Sequence, residues 1–197
     1  MDRERFEKQK EFILEIDKEK NILRQTHLSC GGRRENDAEH AWHMAIMVYL
    51  LQEYANETID LAKTMMMVLI HDLVEIDAGD TYAYDTAGKA TEHDREQKAA
   101  DRIFGMLPED QGHLLRSLWE EFEAYETPEA RFAHTMDNFQ PMLLNDSNEG
   151  GDWKAHGIKR SQTEKRNAKT GTGSAEIWEY MKTILDANVA RGSLKDE

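Results

Sequence analysis

Leu61-Ala-Lys-Thr-Met-Met-Met-Val-Leu-Ile-His71-Asp72-Leu-Val-Glu75 is the stretch that decides the fold class. Leu61, Met65, Val68, Leu69 and Leu73 recur at three- and four-residue intervals, and Thr58 stands where a cap is wanted. The segment is apolar nearly all round, which places this helix in the middle of a bundle. It nevertheless carries a histidine, an aspartate and a glutamate. Burying such groups unpartnered costs several kcal/mol, roughly, so they require a cation or a hydrogen-bond network.

The same periodicity continues outward. Phe6, Ile13, Ile16 and Leu23 mark a first helix over about residues 3–23. Asn36 or Asp37 caps a second, which runs to about Tyr54 through Trp42, Ile46, Met47, Leu50 and Leu51. A polar connection from Asp77 to Gly88 precedes a fourth helix at about 91–107. Pro108 opens the next helix, and Pro128 opens one that carries Phe132, Met136 and Leu143, which Pro141 should kink or end. The stretch from Gly150 to Gly173 is less regular and locally basic, and a last helix spans about 174–191. With three prolines, few β-branched clusters and no repeats, the expectation is one all-α domain, a helical bundle over residues 1–197.

Composition narrows the function. The chain has 197 residues and a formal net charge of −14, with 39 acidic against 25 basic side chains. Polymeric nucleic acid and anionic membrane reward a surplus of Lys and Arg, so neither is an expected partner. The longest apolar run, Met44 to Leu51, is far too short to span a bilayer, and the N-terminal residues lack the apolar stretch of a signal peptide. Cys30 is the lone cysteine, which fits a reducing compartment, and a cytoplasmic location is expected.

Three helices offer groups that bind metals. His71 and Asp72 are adjacent, with Glu75 one turn beyond His71. The second helix offers Glu39, His40 and His43; the sixth offers His134 and Asp137. Helical proteins build metal sites from side chains on facing helices. Mixed nitrogen and oxygen ligands suit Mn, Fe, Co, Ni or Zn better than calcium. His71-Asp-Leu-Val-Glu75 does not place Glu and His as a zincin helix needs them, so a metalloprotease is set aside. Spacing alone does not choose between His40 and His43.

An early His, a later His-Asp pair and a distant Asp resemble the signature of the HD-domain superfamily of metal-dependent phosphohydrolases. Glu35-Asn-Asp-Ala-Glu-His40, then Leu69-Ile-His71-Asp72-Leu-Val-Glu75 and Gly79-Asp80, are similar to its 5'-deoxynucleotidase branch. The resemblance runs over about residues 12–145 and leaves 146–197 as a C-terminal helical extension. It implies a bundle fold and His40, His71, Asp72 and Asp137 as ligands of one divalent ion. Mn²⁺ or Co²⁺ comes first, with Fe²⁺, Ni²⁺, Zn²⁺ or Mg²⁺ as alternatives. It also implies Glu75 as the acid that orients or deprotonates the attacking water, Asp80 as a second acid near the leaving group or sugar, and Arg24 as the phosphate-binding arginine. Arg33 is a further substrate-binding candidate. The expected substrate is a nucleoside 5'-monophosphate, and homodimers are expected.

Two features depart from that pattern. Some members carry a tryptophan directly after the phosphate-binding arginine, where this chain has Gln25. The segment from Trp153 to Lys169, with His156, Lys159, Arg160, Lys165 and Arg166, resembles an insert of one bacterial subgroup; it is either a cationic lid over the phosphate or a solvated basic face. A triphosphohydrolase or nucleotide phosphodiesterase, and a non-catalytic metal-containing nucleotide-binding module, are the competing readings.

Overall fold

A computed structural model describes residues 1–197 apart from Thr86 and Ala87. Helices α1 (Arg3–Ile16), α2 (Asp37–Leu51), α3 (Leu61–Ile70), α4 (Glu75–Ala78), α5 (Thr86–Gly105), α6 (Glu109–Ala124), α7 (Pro128–Ser147), α8 (Gly151–His156), α9 (Arg160–Arg166) and α10 (Ala175–Ala190) account for most of it. The all-α expectation holds, with one addition. Strands β1 (Leu23–His27) and β2 (Arg34–Asn36) form a small antiparallel ribbon where the first helix was expected to end. That helix stops at Ile16, a short 3₁₀ turn follows, and Phe12 rather than Phe6 or Ile13 is its buried aromatic or aliphatic anchor. The expected Asp77–Gly88 connection is shorter, and its Thr86 and Ala87 lie outside the described residues.

Several helix starts follow from their capping chemistry. The Asn36 side chain accepts from the Glu39 backbone N–H at 2.9 Å, while the Glu39 carboxylate accepts from the Asn36 N–H at 3.2 Å. This capping box fixes the entry of α2, and with it the position of His40 one turn later. For α3 the cap is Asp60, which accepts from the Lys63 N–H at 3.0 Å, not Thr58. Pro128 is the first residue of α7, and Ser174 caps α10.

The centre of the bundle is α7 rather than α3. Helix α7 packs on α2, α3, α6 and α10 and buries Phe132, Ala133, Met136, Phe139 and Met142, whereas α3 leaves Met66 and Leu69 exposed. One core lobe joins Met44, Met67, Phe132, Met136, Met181 and Leu185; a second joins Phe12, Ile70, Ile103, Phe104 and Trp119. Helix α10 thus shares the main core with the helices that precede it. Pro141 neither ends nor interrupts α7, which continues to Ser147. Its missing N–H falls one turn after Asp137, whose carbonyl loses its helical donor. Burial of Gln140, Met142 and Leu144 around Pro141 holds the helix together.

No helix among the described residues is long and apolar enough to cross a membrane.

Candidate metal centre and its cavity

Helix α3 ends at Ile70, and the next residues turn tightly instead of continuing it. The Leu73 N–H donates to the Ile70 carbonyl at 3.2 Å, and the Glu75 N–H to the Asp72 carbonyl at 2.8 Å, before α4 begins at Glu75. The His-Asp pair therefore sits at a helix break. Uninterrupted apolar spacing in the sequence hides this, because Leu73 and Val74 stay buried through the turn.

The turn carries His71 and Asp72 to His40 of α2. His40 is fully buried, His71 and Asp72 nearly so, and the donor atoms of all three lie within 4.8 Å of one another. Asp137 of α7 joins them: its Oδ1 is 3.1 Å from His40 Nε2 and 3.9 Å from His71 Nε2. Asp37, Asp72 and Glu75 form an adjoining group with the same spacing limit. His43, the other candidate on α2, turns away to accept from the Gln140 amide at 3.1 Å. His134 donates through Nε2 to the Phe122 carbonyl at 2.9 Å and stacks between Phe122 and Tyr125.

Hydrogen bonds fix which ring nitrogens carry protons. The Gln140 amide nitrogen donates to Glu35 Oε1 at 2.7 Å, so its oxygen must face His40 Nδ1, 3.0 Å away, and accept from it. That leaves His40 Nε2 a bare lone pair 3.1 Å from a carboxylate oxygen of Asp137. His71 Nδ1 likewise donates to the Val68 carbonyl at 3.0 Å. Its Nε2 is buried without a hydrogen-bond partner, 3.1 Å from Asp72 Oδ1. A buried lone pair facing a carboxylate repels it unless something positive lies between them, and at His71 a proton takes that place when no cation does. A divalent ion with nitrogen and oxygen ligands fits that requirement, and the outward Nδ1–H bonds are the usual way such imidazoles are oriented.

The titration of these groups follows. Burial, with Arg24 nearby, lowers His40 to about 4, so it is neutral at physiological pH. Burial also opposes charging of His71, but Asp72 overrides it and raises His71 to about 9. For Asp72 burial is outweighed by His71 and Arg24, and for Asp137 by its close contact with His40 and by His71; both carboxylates are held below their ordinary range. Glu75 goes the other way: burial, then Asp72 and Asp37, lift it well above the usual carboxylate range. Asp37 is raised to about 7 by burial and by Asp72.

His71, Asp72, Glu75 and Asp137 line a cavity of about 270 Å³, near the lower end of the small-ligand range (roughly 300–1,000 Å³) and too small for a polymer groove. Arg24 lines it from β1, and its Nη1 donates to Asp72 Oδ2 at 2.7 Å and Asp37 Oδ1 at 3.2 Å. Asp80 lines it from the loop after α4, raised by burial. Arg33 does not join the site. It is exposed, outside the cavity, and its Nη1 pairs with Glu39 at 2.8 Å, because the loop between the strands carries it away from the helix ends. Of the basic segment, His156 and Arg166 reach the cavity, while Lys159, Arg160 and Lys165 do not. Sequence reasoning passed over Glu35 and Asp37 as site residues, and Gln140 altogether. Their signal was present: Glu35 and Asp37 lie within five residues of His40, and Gln140 is one turn after Asp137.

Residues 16–178 match a family model described as HD domain. The chain belongs to the HD-domain family. Within it, this HD-domain chain is 31% identical over 111 residues to the Homo sapiens protein 5'-deoxynucleotidase HDDC2, covering 56% of this chain and 53% of that protein. The Schizosaccharomyces pombe 5'-deoxynucleotidase hdd1 is 27% identical over 110 residues, covering 54% of each. The chain thus spans about half the length of the curated relatives it matches. A solved structure described as a predicted metal-dependent phosphohydrolase, from Magnetospirillum magnetotacticum MS-1, superposes with a TM-score of 0.92 at 48% identity, over 96% of this chain and 95% of that one. PH0347 from Pyrococcus horikoshii OT3, at 16% identity and a TM-score of 0.62, shares the HD-domain fold.

The protonation pattern predicts how an ion enters. At pH 7.5 His71 holds a proton that a cation must displace, while His40, Asp72 and Asp137 hold none. Binding of Mn²⁺ should therefore release at least about one proton per ion, with affinity rising as pH increases toward about 9. Calorimetric titration in buffers of different ionisation enthalpy measures this; zero proton release contradicts it.

Proposed function

We propose that this HD-domain protein is a metal-dependent phosphohydrolase that releases phosphate from nucleoside 5'-monophosphates, deoxynucleotides above all. The observation that carries the reading is the pairing of two opposite carboxylate environments in one cavity. Asp72 and Asp137 are kept ionised beside two imidazoles, while Glu75, next to them, is kept avid for a proton. That separation assigns binding to one set and proton transfer to the other. The names and titles of the relatives and of the superposing structure agree with this class of reaction.

His40, His71, Asp72 and Asp137 would hold one divalent ion, Mn²⁺ or Co²⁺ in the first instance. When bound, the ion supplies Lewis acidity toward a phosphoryl oxygen and toward water. Glu75 would accept the proton of the attacking water, with burial and the neighbouring Asp72 and Asp37 raising its proton affinity above the ordinary carboxylate range. Asp37 stands beside Glu75 and Asp72, each offering a carboxylate oxygen within 4.8 Å of the others, and helps hold Glu75's proton affinity high. Arg24 holds Asp37 and Asp72 in place through Nη1, and its remaining N–H groups, including a buried Nε without a partner, face the substrate phosphate. Asp80, on the loop at the cavity, protonates or positions the leaving 5'-oxygen.

Charge separates a monophosphate from a triphosphate. Eight carboxylates line the cavity against three Lys or Arg side chains. Arg24 is engaged by Asp37 and Asp72, and Lys89 lies 3.4 Å from Glu92. One ion and a little residual positive charge balance a single phosphate, and a triphosphate chain would face uncompensated carboxylates.

A homodimer belongs to the same proposal. Trp42, Ile46, Tyr49 and Leu50 form an exposed stripe along α2, and Met66 and Leu69 are exposed on α3, which packs against it. An apolar surface of this extent on two packed helices is what a self-complementary twofold contact covers. We assign a cytoplasmic location with it, consistent with one exposed, unpaired Cys30; fractionation of the full chain checks that assignment.

With Mn²⁺ or Co²⁺ added, the protein should release inorganic phosphate from dAMP, dGMP, dCMP or dTMP, and EDTA or Asp72→Ala should abolish release. Glu75→Gln should lower kcat by about 10²–10⁴-fold while leaving metal content unchanged. A metal-loaded sample inert on the whole monophosphate panel contradicts the reading. Light scattering on the full chain should give a dimer mass that Trp42→Glu with Ile46→Glu converts to a monomer; a monomeric wild type overturns the dimer.

A further inference from the structure

Arg24 is not the sole arginine that faces the cavity. Arg166, at the end of α9, also lines it, and no residue among those described gives it a hydrogen bond or an ion pair. Its basic neighbours are occupied or directed elsewhere. Arg160 pairs with Glu164 at 2.9 Å and Asp186 at 2.6 Å, and Lys159 and Lys165 are exposed outside the cavity.

The position of Arg166 is built rather than incidental. Trp153 and Ile158 anchor the segment in the main core at 5% and 4% exposure. Asp152 of α8 accepts from the His27 backbone N–H at 3.0 Å and lies 2.6 Å from the His27 ring, which ties the segment to the strand that carries Arg24. On α9 itself, buried Thr163 meets the Tyr84 hydroxyl at 3.3 Å, and the buried Asn167 amide donates to the Thr163 carbonyl at 2.8 Å. Thr163 and Asn167 flank Arg166 on the cavity wall. The guanidinium is therefore presented from a fixed scaffold. It shares the cavity lining with Asp80 and Asp137.

A guanidinium with its planar fork of donors unspent, in a cavity otherwise rich in carboxylates, suits one kind of ligand group: a tetrahedral oxyanion that takes two parallel N–H bonds. We propose that Arg166 is a second phosphate-binding arm, receiving non-bridging oxygens of the substrate's phosphate from α9 while Arg24 approaches from β1. The inference rests on the monophosphatase reading and sharpens it. One phosphate lies between two arginines contributed by distant parts of the chain, so the segment after residue 150 belongs to the binding site. Its other cations serve the surface.

The test uses the metal-loaded full chain, with inorganic phosphate as the probe and calorimetry as the readout. Arg166→Ala and Arg166→Gln should each weaken phosphate binding about tenfold or more and raise KM for the best monophosphate by a similar factor. Arg166→Lys should recover part of the loss, and Arg160→Ala should match wild type in both measurements. Phosphate affinity within twofold of wild type in both Arg166→Ala and Arg166→Gln overturns the proposal, as does a metal-loaded wild type that binds no phosphate. Wild type that binds phosphate through Arg166 but turns over no nucleotide would sink the nucleotidase reading and leave this assignment standing.

Discussion

Two imidazole Nε2 atoms aimed at two carboxylates organise this molecule. His40 Nε2 faces Asp137 at 3.1 Å and His71 Nε2 faces Asp72 at 3.1 Å, all four groups coming from three different parts of the bundle. In water such contacts would be trivial. In a buried pocket the effective dielectric is low, and they are tolerable only with positive charge between them. Much of the surrounding architecture is arranged to keep them in that orientation. The Glu35–Gln140 pair forces the His40 tautomer, the α3 helix end supplies the Val68 carbonyl to His71, and the capping box at Asn36 sets the start of α2.

The excess of acid over base takes on a local meaning. A net charge of −14 is unexpected for the proposed handling of an anion, and the cavity repeats the imbalance with eight carboxylates against three Lys or Arg side chains. The carboxylates do not act alike. Asp72 and Asp137 stay ionised because imidazoles adjoin them, whereas Glu75 and Asp37 are pushed toward their protonated forms by burial and by Asp72. In the proposed function one cluster offers both ligands and a base, and a cation bound there would reverse the field that an incoming phosphate meets.

How much of this was legible in the sequence depended on the scale of the interaction. Capping chemistry is local, so Asn36, Pro128 and Ser174 announced their helices. The His-Asp pair stood out because charge in the most apolar segment has few explanations. The ribbon of β1 and β2 was missed because Leu23-Arg-Gln-Thr-His27 has no apolar alternation to signal a strand. The break after Ile70 was missed because its turn residues remain apolar and buried. Pro141 did not end α7, since packing on several sides of the helix outweighed a lost hydrogen bond. Choosing among the arginines needed the fold: Arg33 and Arg166 look alike in sequence, but a loop carries the first to solvent and a core-anchored helix turns the second into the cavity.

The proposed site depends on a cation held between those four groups. Metal analysis of the full chain, purified without chelator and resupplied with Mn²⁺, measures it most directly, with Asp137→Ala as the comparison. The expected result is about one tightly held ion per chain in the wild type and loss of that ion in the variant. A wild type that retains no divalent ion, or a variant that holds it equally well, would contradict it.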